Sequence, residues 1–185
     1  SQIPAQETDL EIFLFTGTTT RQLTKNGFSD HDPWVNSLGH VVWIEEHDFV
    51  FERLIQYYNG TDIIQISDAP DFLLNPKISS SGDIFWIRGL YRFPGAVLYH
   101  FKDNVRSGLD FGSDYEFAMN DQGQATWYTS NSTVNLYTGT KKTQISDSGG
   151  FADHDPWISD SGHITWHGYQ YDPRETGIFA WGPAG

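Results

Sequence analysis

The chain contains no cysteine. That absence excludes a disulfide framework, a thiolate metal site and a cysteine nucleophile. Basic residues are scarce: 11 Lys and Arg stand against 24 Asp and Glu, a formal net charge of −13. A surface this acidic repels phosphate, so nucleic acid and anionic lipid are disfavoured as partners. No apolar run approaches the eighteen or so residues that a membrane span needs, and helical periodicity of useful length is missing too. The opening SQIPAQETDL has neither the basic nor the apolar region of a leader peptide; it fits the mature end left once such a peptide has been removed. Nucleophile elbows, P-loops, HExxH motifs and dinucleotide fingerprints are also absent.

What the chain does have is aromatic residues, 16% of the total with 13 Phe and 7 Trp, separated by Gly, Asp, Ser and Asn. This is the composition of an all-β protein. Its main signal is an internal repeat. Trp43, Trp86, Trp127 and Trp166 lie 43, 41 and 39 residues apart, and each follows a glycine by four, at Gly39, Gly82, Gly123 and Gly162. Six residues before those glycines stand Pro33, Pro76, Phe117 and Pro156. A variable polar stretch follows each Trp, then an alternating run ending in a turn (LIQYYNG, TVNLYTG) and a last short run (DIIQIS, KKTQIS). Period-two alternation bounded by turn residues predicts four strands per unit.

One such sheet cannot bury both of its faces, whereas units stacked around an axis can. The expectation is therefore an all-β, small β-propeller of four blades, each of four antiparallel strands. The repeat units run approximately over 25–67, 68–108, 109–146 and 147–185. EIFLFTG at 11–17 and RQLT at 21–24 match third and fourth strands, so residues 11–24 are expected to complete the last blade and close the ring. The count gives seventeen strands, one more than four blades of four require. A spare third strand, or membership of a larger ring through self-association, accounts for the excess.

The pattern DHDPWVNSLGHVVW, followed by IFLFTG-like and QLT-like strands, resembles the TolB-type, WD-like β-propeller repeat family. The resemblance covers almost the whole chain and concerns fold. It implies the company of periplasmic binding subunits, peptidase accessory domains and secreted proteins, hence an extracellular or periplasmic location. Near residues 102–117 the pattern breaks: no Gln-Leu-Thr strand follows KDNVRSG and Phe117 replaces the proline. An irregular outer blade edge is expected there.

The candidate site residues come from register. Seven positions before each turn glycine stand Asp32, Asn75, Glu116 and Asp155, a side-chain oxygen in every unit. If the first strands line the axis, these oxygens form a ring suited to Ca²⁺, or to Zn²⁺ with His31 and His154 one position earlier. The alternative reading is that an Asp or Asn before a strand holds a turn by bonding backbone N–H groups. That reading also covers Asp30, Asp114 and Asp153, where the resemblance implies a structural Asp. Trp34 and Trp157 have Lys77 and Ala118 as counterparts, so the repeat does not demand indole there. An exposed indole can stack on a sugar ring or anchor a partner's side chain. The four in-register tryptophans are expected to pack between blades. The resulting expectation is a non-catalytic binding module for a protein or glycan at one propeller face; the alternative is a carboxylate- or metal-dependent hydrolase or lyase.

Overall fold

The computed structural model describes residues 9–47, 52–68, 71–89, 96–112, 116–129, 131–146, 151–170 and 175–183. Asp114 lies outside the described residues, as does the side chain of Asp153. None of the described residues is helical, and no helix long and apolar enough to cross a membrane is found among them.

Among the described residues seventeen strands form five antiparallel sheets. β1 (Phe13–Phe15) and β2 (Thr20–Gln22) pair only with each other. The first four-stranded meander comprises β3 (Ser29–Val35), β4 (Val41–His47), β5 (Glu52–Tyr58) and β6 (Ile63–Gln65). The second comprises β7 (Leu73–Ile78), β8 (Ile84–Gly89), β9 (Ala96–Lys102) and β10 (Val105–Gly112). The third comprises β11 (Ala118–Met119), β12 (Ala125–Tyr128), β13 (Val134–Tyr137) and β14 (Lys142–Gln144). β15 (Phe151–Ile158), β16 (Ile164–Gln170) and β17 (Glu175–Trp181) form a three-stranded sheet.

Two local devices recur and explain the register seen in the sequence. The first is the turn between the first and second strands of each unit. The N–H of Gly39 donates to Asn36 O, and the N–H of Asn36 to His40 O, at 3.0 and 3.1 Å. The same pair of bonds recurs at Ser79/Gly82, Asn120/Gly123 and Ser159/Gly162. This is a three-residue hairpin loop ending in a left-handed residue, and the four glycines take φ between +76° and +83°. The second device is a bulge in the first strand. Pairing skips a residue between His31 and Trp34, between Leu74 and Lys77, and between His154 and Trp157. Asp32, Asn75 and Asp155 sit in those bulges at φ 52°, 51° and 49°. Asn and Asp are the non-glycine residues that best tolerate this conformation. The following proline has no N–H to leave unpaired in the bulge.

The sheets stack in chain order. Trp43 packs with Ile12, Leu14 and Leu23 of the N-terminal pair; Trp86 packs with Val42, Ile44 and Ile55 of the first meander. Trp127 packs with Phe85, Ile87 and Leu98 of the second, and Trp166 with Ala118, Val134 and Leu136 of the third. Each repeated tryptophan thus faces the preceding sheet. A buried indole removes about 150–250 Å² from water, worth about 4–6 kcal/mol at ~25 cal/mol per Å².

Closure of the ring by residues 11–24 is not confirmed: among the described residues no sheet is closed, and β1–β2 pair with each other and not with β15–β17. One third-strand place in the last sheet is already filled. GIFAW and EIFLF are both third-strand sequences, and β17 already occupies the place beside β16 along its whole length. β1 and β2 instead lie against the first meander, where the Asp30 N–H donates to Leu10 O at 2.8 Å and Arg21 donates to the Tyr58 hydroxyl at 2.6 Å. The expected irregular edge is a bulge between Gly108 and Asp110 in β10, which forms a full outer strand and runs four residues past 108.

Candidate functional site

The first strands of all four later sheets meet at one groove of about 420 Å³. Trp34 comes from β3, Ile78 from β7, Met119 from β11, and Trp157 and Ile158 from β15. Asn120, Asp121, Ser159 and Asp160, from the turns after β11 and β15, form its polar part. First strands line this groove, the axial groove, although no sheet closes into a ring among the described residues. Its apolar floor is made by strand residues whose alternation turns Ile78 and Ile158 inward, at 1% and 4% exposure. Its indoles remain open: Trp34 is 47% exposed and Trp157 69%.

Adjacent turns are tied together around this groove. Asn36 Nδ2 donates to Ser79 O and Asn120 Nδ2 to Ser159 O, both at 2.9 Å. Ser37 Oγ donates to Ser80 Oγ at 2.9 Å, and the Asp121 N–H donates to Asp160 Oδ1 at 3.0 Å. The same Asn and Ser side chains cap their own turns, accepting from the N–H groups of His40, Asp83, Gln124 and His163. Each therefore fixes one turn and, in the first and third units, holds the next. These positions, two and three before the turn glycine, were missed in the sequence. Their signal was there: Asn36, Ser79, Asn120 and Ser159 in one register, and Ser37, Ser80, Asp121 and Asp160 in the next.

Beside Trp34 the chain supplies its own cation. The Lys77 ammonium lies 5.5 Å from the Trp34 ring centroid and 4.8 Å from that of Phe117, and donates to Phe117 O at 3.2 Å. Burial lowers its pKa, with the nearby Glu116 carboxylate acting in the opposite direction. Phe117 stands where the other units have proline, and its ring closes over this lysine and packs on Phe85.

The remaining candidates are placed elsewhere. His31 lies 3.3 Å from Asp32 and 3.1 Å from Glu46, turned toward β4. Asp155 faces His167 at 3.6 Å, and His154 stands edge-on to the Tyr128 ring at 5.5 Å. Glu116 is exposed. Among the described residues no three His, Asp or Glu converge as a cation site would require. Asp30, by contrast, is 1% exposed and accepts from Trp43 Nε1 at 2.8 Å.

Stacked antiparallel meanders whose first strands share one groove define a propeller-like repeat protein. No family model matches the chain, and no curated protein matches it. Among solved structures it is similar to an acylaminoacyl peptidase of Pyrococcus horikoshii, with TM-score 0.51 and 12% identity. The match covers 90% of this chain but only 32% of the peptidase, and it bears on fold alone. The nidogen/laminin complex gives TM-score 0.49 at 8% identity, covering 91% of this chain and 69% of that one. YCF48 bound to D1 peptide gives 0.47 at 13%, covering 90% and 60%.

Proposed function

We propose that the chain is a binding module whose recognition surface is the axial groove, and that its ligand is an uncharged glycan. The observation that carries this reading is the placing of two exposed indoles, from the first and last units, on one groove with Asp121 and Asp160. Indole faces stack on sugar rings, and carboxylates accept from hydroxyls. Neither Trp34 nor Trp157 is required for packing, since Lys77 and Ala118 occupy the same register in other units. The net charge of −13 disfavours anionic glycans.

A glycan array followed by titration tests this. Trp34→Ala and Trp157→Ala should each weaken binding by about thirtyfold, the scale of a hot-spot aromatic. Both should leave the melting temperature within about 2 °C, because exposed side chains contribute little to stability. If no glycan binds, or if both variants bind as well as the parent, the groove is not the recognition surface. A second reading, glycoside hydrolysis, has one observation in its favour, the pair of carboxylates Asp121 and Asp160 on that groove. New reducing ends released from a bound glycan, and lost with Asp121→Asn, would replace binding by catalysis.

Asp32, Asn75 and Asp155 are assigned by this reading to the backbone geometry of their bulges, and the exposed Glu116 to solvent. Chelator should leave the melting temperature unchanged. A fall that Ca²⁺ or Zn²⁺ reverses would return a cation to the ring.

A further inference from the structure

A second pocket, of about 220 Å³, opens between the first and second meanders, away from the axial groove. Its wall is Trp86 and Tyr99, whose rings stack at 5.6 Å. Two guanidiniums reach into it, Arg88 from β8 and Arg106 from β10. The repeat does not ask for arginine at position 88: the residue two beyond the repeated Trp is Glu45, Thr129 or Gly168 in the other units. In a chain with only 11 basic residues, two arginines line this one pocket, each beside a carboxylate, Asp71 or Asp68.

The two are held differently. Arg88 is held on two sides: its Nε lies 2.5 Å from Asp71 Oδ2, and it is hydrogen-bonded to Tyr99. Asp71 is itself anchored, exchanging two backbone bonds with Arg53 and accepting the Phe72 N–H at Oδ1. Arg106 instead pairs with Asp68, a residue 78% exposed in the segment after β6. Exposed pairs of this kind contribute little and exchange readily. The chain thus already shows a carboxylate on each guanidinium, one anchored through its own backbone and one replaceable.

We propose that this pocket binds a carboxylate, which displaces Asp68 from Arg106 while Arg88 contributes a pre-set second guanidinium and Trp86 with Tyr99 form the apolar wall. Planar bidentate pairing makes carboxylate the natural guest of a guanidinium. The site is independent of the axial groove.

Glutarate and acetyl-Ala-Glu-Ala-amide are titrated in turn into the ¹⁵N-labelled 185-residue chain, following the Arg88 and Arg106 Nε–H resonances. Both resonances should shift together. Asp68→Asn, by removing the competitor, should tighten binding about fivefold. Asp62→Asn, which makes the same change of net charge away from the pocket, should leave it within about twofold. Arg106→Gln should weaken it at least about tenfold. Glutarate binding without the peptide assigns the guest to a free dicarboxylate; binding of the peptide assigns it to an acidic side chain of a partner. The proposal is overturned if neither probe shifts the two arginines, or if Asp68→Asn binds no tighter than Asp62→Asn.

Discussion

Asp30 and Asp83 are both 1% exposed, yet their environments act in opposite directions. At Asp30, burial raises the carboxyl pKa, and hydrogen bonds with Thr24, Trp43 and Asn26, none of them charged, do not offset it; Glu45 adds to the rise. At Asp83, burial again pushes upward, but His100 and Lys102 approach to 2.7 Å and Ser81 Oγ donates at 2.7 Å, and the net pKa is lowered. Burial alone therefore does not decide the state of a carboxylate; the charge of its donors does. The two sites also differ in origin. Asp30 shares its register with Asp114 and Asp153, whereas the counterparts of Asp83 are His40, Gln124 and His163. One belongs to the repeat and the other to a single unit.

The comparison is broken most severely from outside the cluster. A Cβ at Gly123, where φ is +76°, would lie 2.1 Å from Asp83 Oδ2 and 2.7 Å from Ser81 Oγ. Gly123→Ala should cost about 4 kcal/mol in urea unfolding, combining backbone strain with a disrupted buried pair. Asp83→Asn should cost about 3 kcal/mol, the low end for a broken buried pair, because Lys102 is 39% exposed and turns to water. Gly39→Ala, at φ +77° with nothing within 4 Å of its Cβ, should cost only about 1–2 kcal/mol. Asp30→Asn should be smallest, within about 1 kcal/mol at pH 7, since the amide oxygen still accepts from Trp43 and removal of a costly buried charge offsets the bond from Asn26 that the new NH2 cannot accept.

The pH dependence sharpens the same contrast. Asp83 has a folded pKa below its ordinary 3.8, so its contribution is present above that value and is lost as acid carries the pH down through the folded pKa. Asp30 has a folded pKa above 3.8, so the native state holds its proton longer than the unfolded chain does. Stability then falls as pH rises from about 4 through the folded value. Asp83→Asn should flatten the acid limb of a stability–pH curve, and Asp30→Asn the limb just above it. Indistinguishable curves for the two variants would remove the distinction.

What was legible in the sequence follows the same division. The turn glycines and inward tryptophans recur in every unit, so their roles could be read from spacing alone. Asp30, three residues before Pro33, was readable as structural through that register. The Asp83 cluster was not, because His100 and Lys102 lie across the strands of one sheet and nothing repeats to mark them. The oxygen-bearing positions Asp32, Asn75, Glu116 and Asp155 allow a ligand ring or a backbone role, and for Asp32, Asn75 and Asp155 the left-handed backbone of a bulge is reason enough for Asn and Asp. Trp34 and Trp157 were singled out because the repeat left them free, and the structure places both on one groove. Their shared rim of Asp121 and Asp160 was overlooked because Asp in a turn reads as a turn former. Ring closure could not be decided from strand patterns, since EIFLF and GIFAW compete for one place.

Because each repeated tryptophan faces the sheet before it, the stack has a direction. A unit leaving the ribosome finds its docking surface already made, and its own indole covers that surface as the unit folds. No sheet waits for a partner still to be synthesised except across its following face. Folding can therefore advance one unit at a time from the N-terminal pair, with contacts between neighbours only, and the aggregation-exposed surface at any moment is the last face laid down. A chain stalled after the second unit should present Phe85 and Ile87 to solvent, and the third unit then acts as their cover.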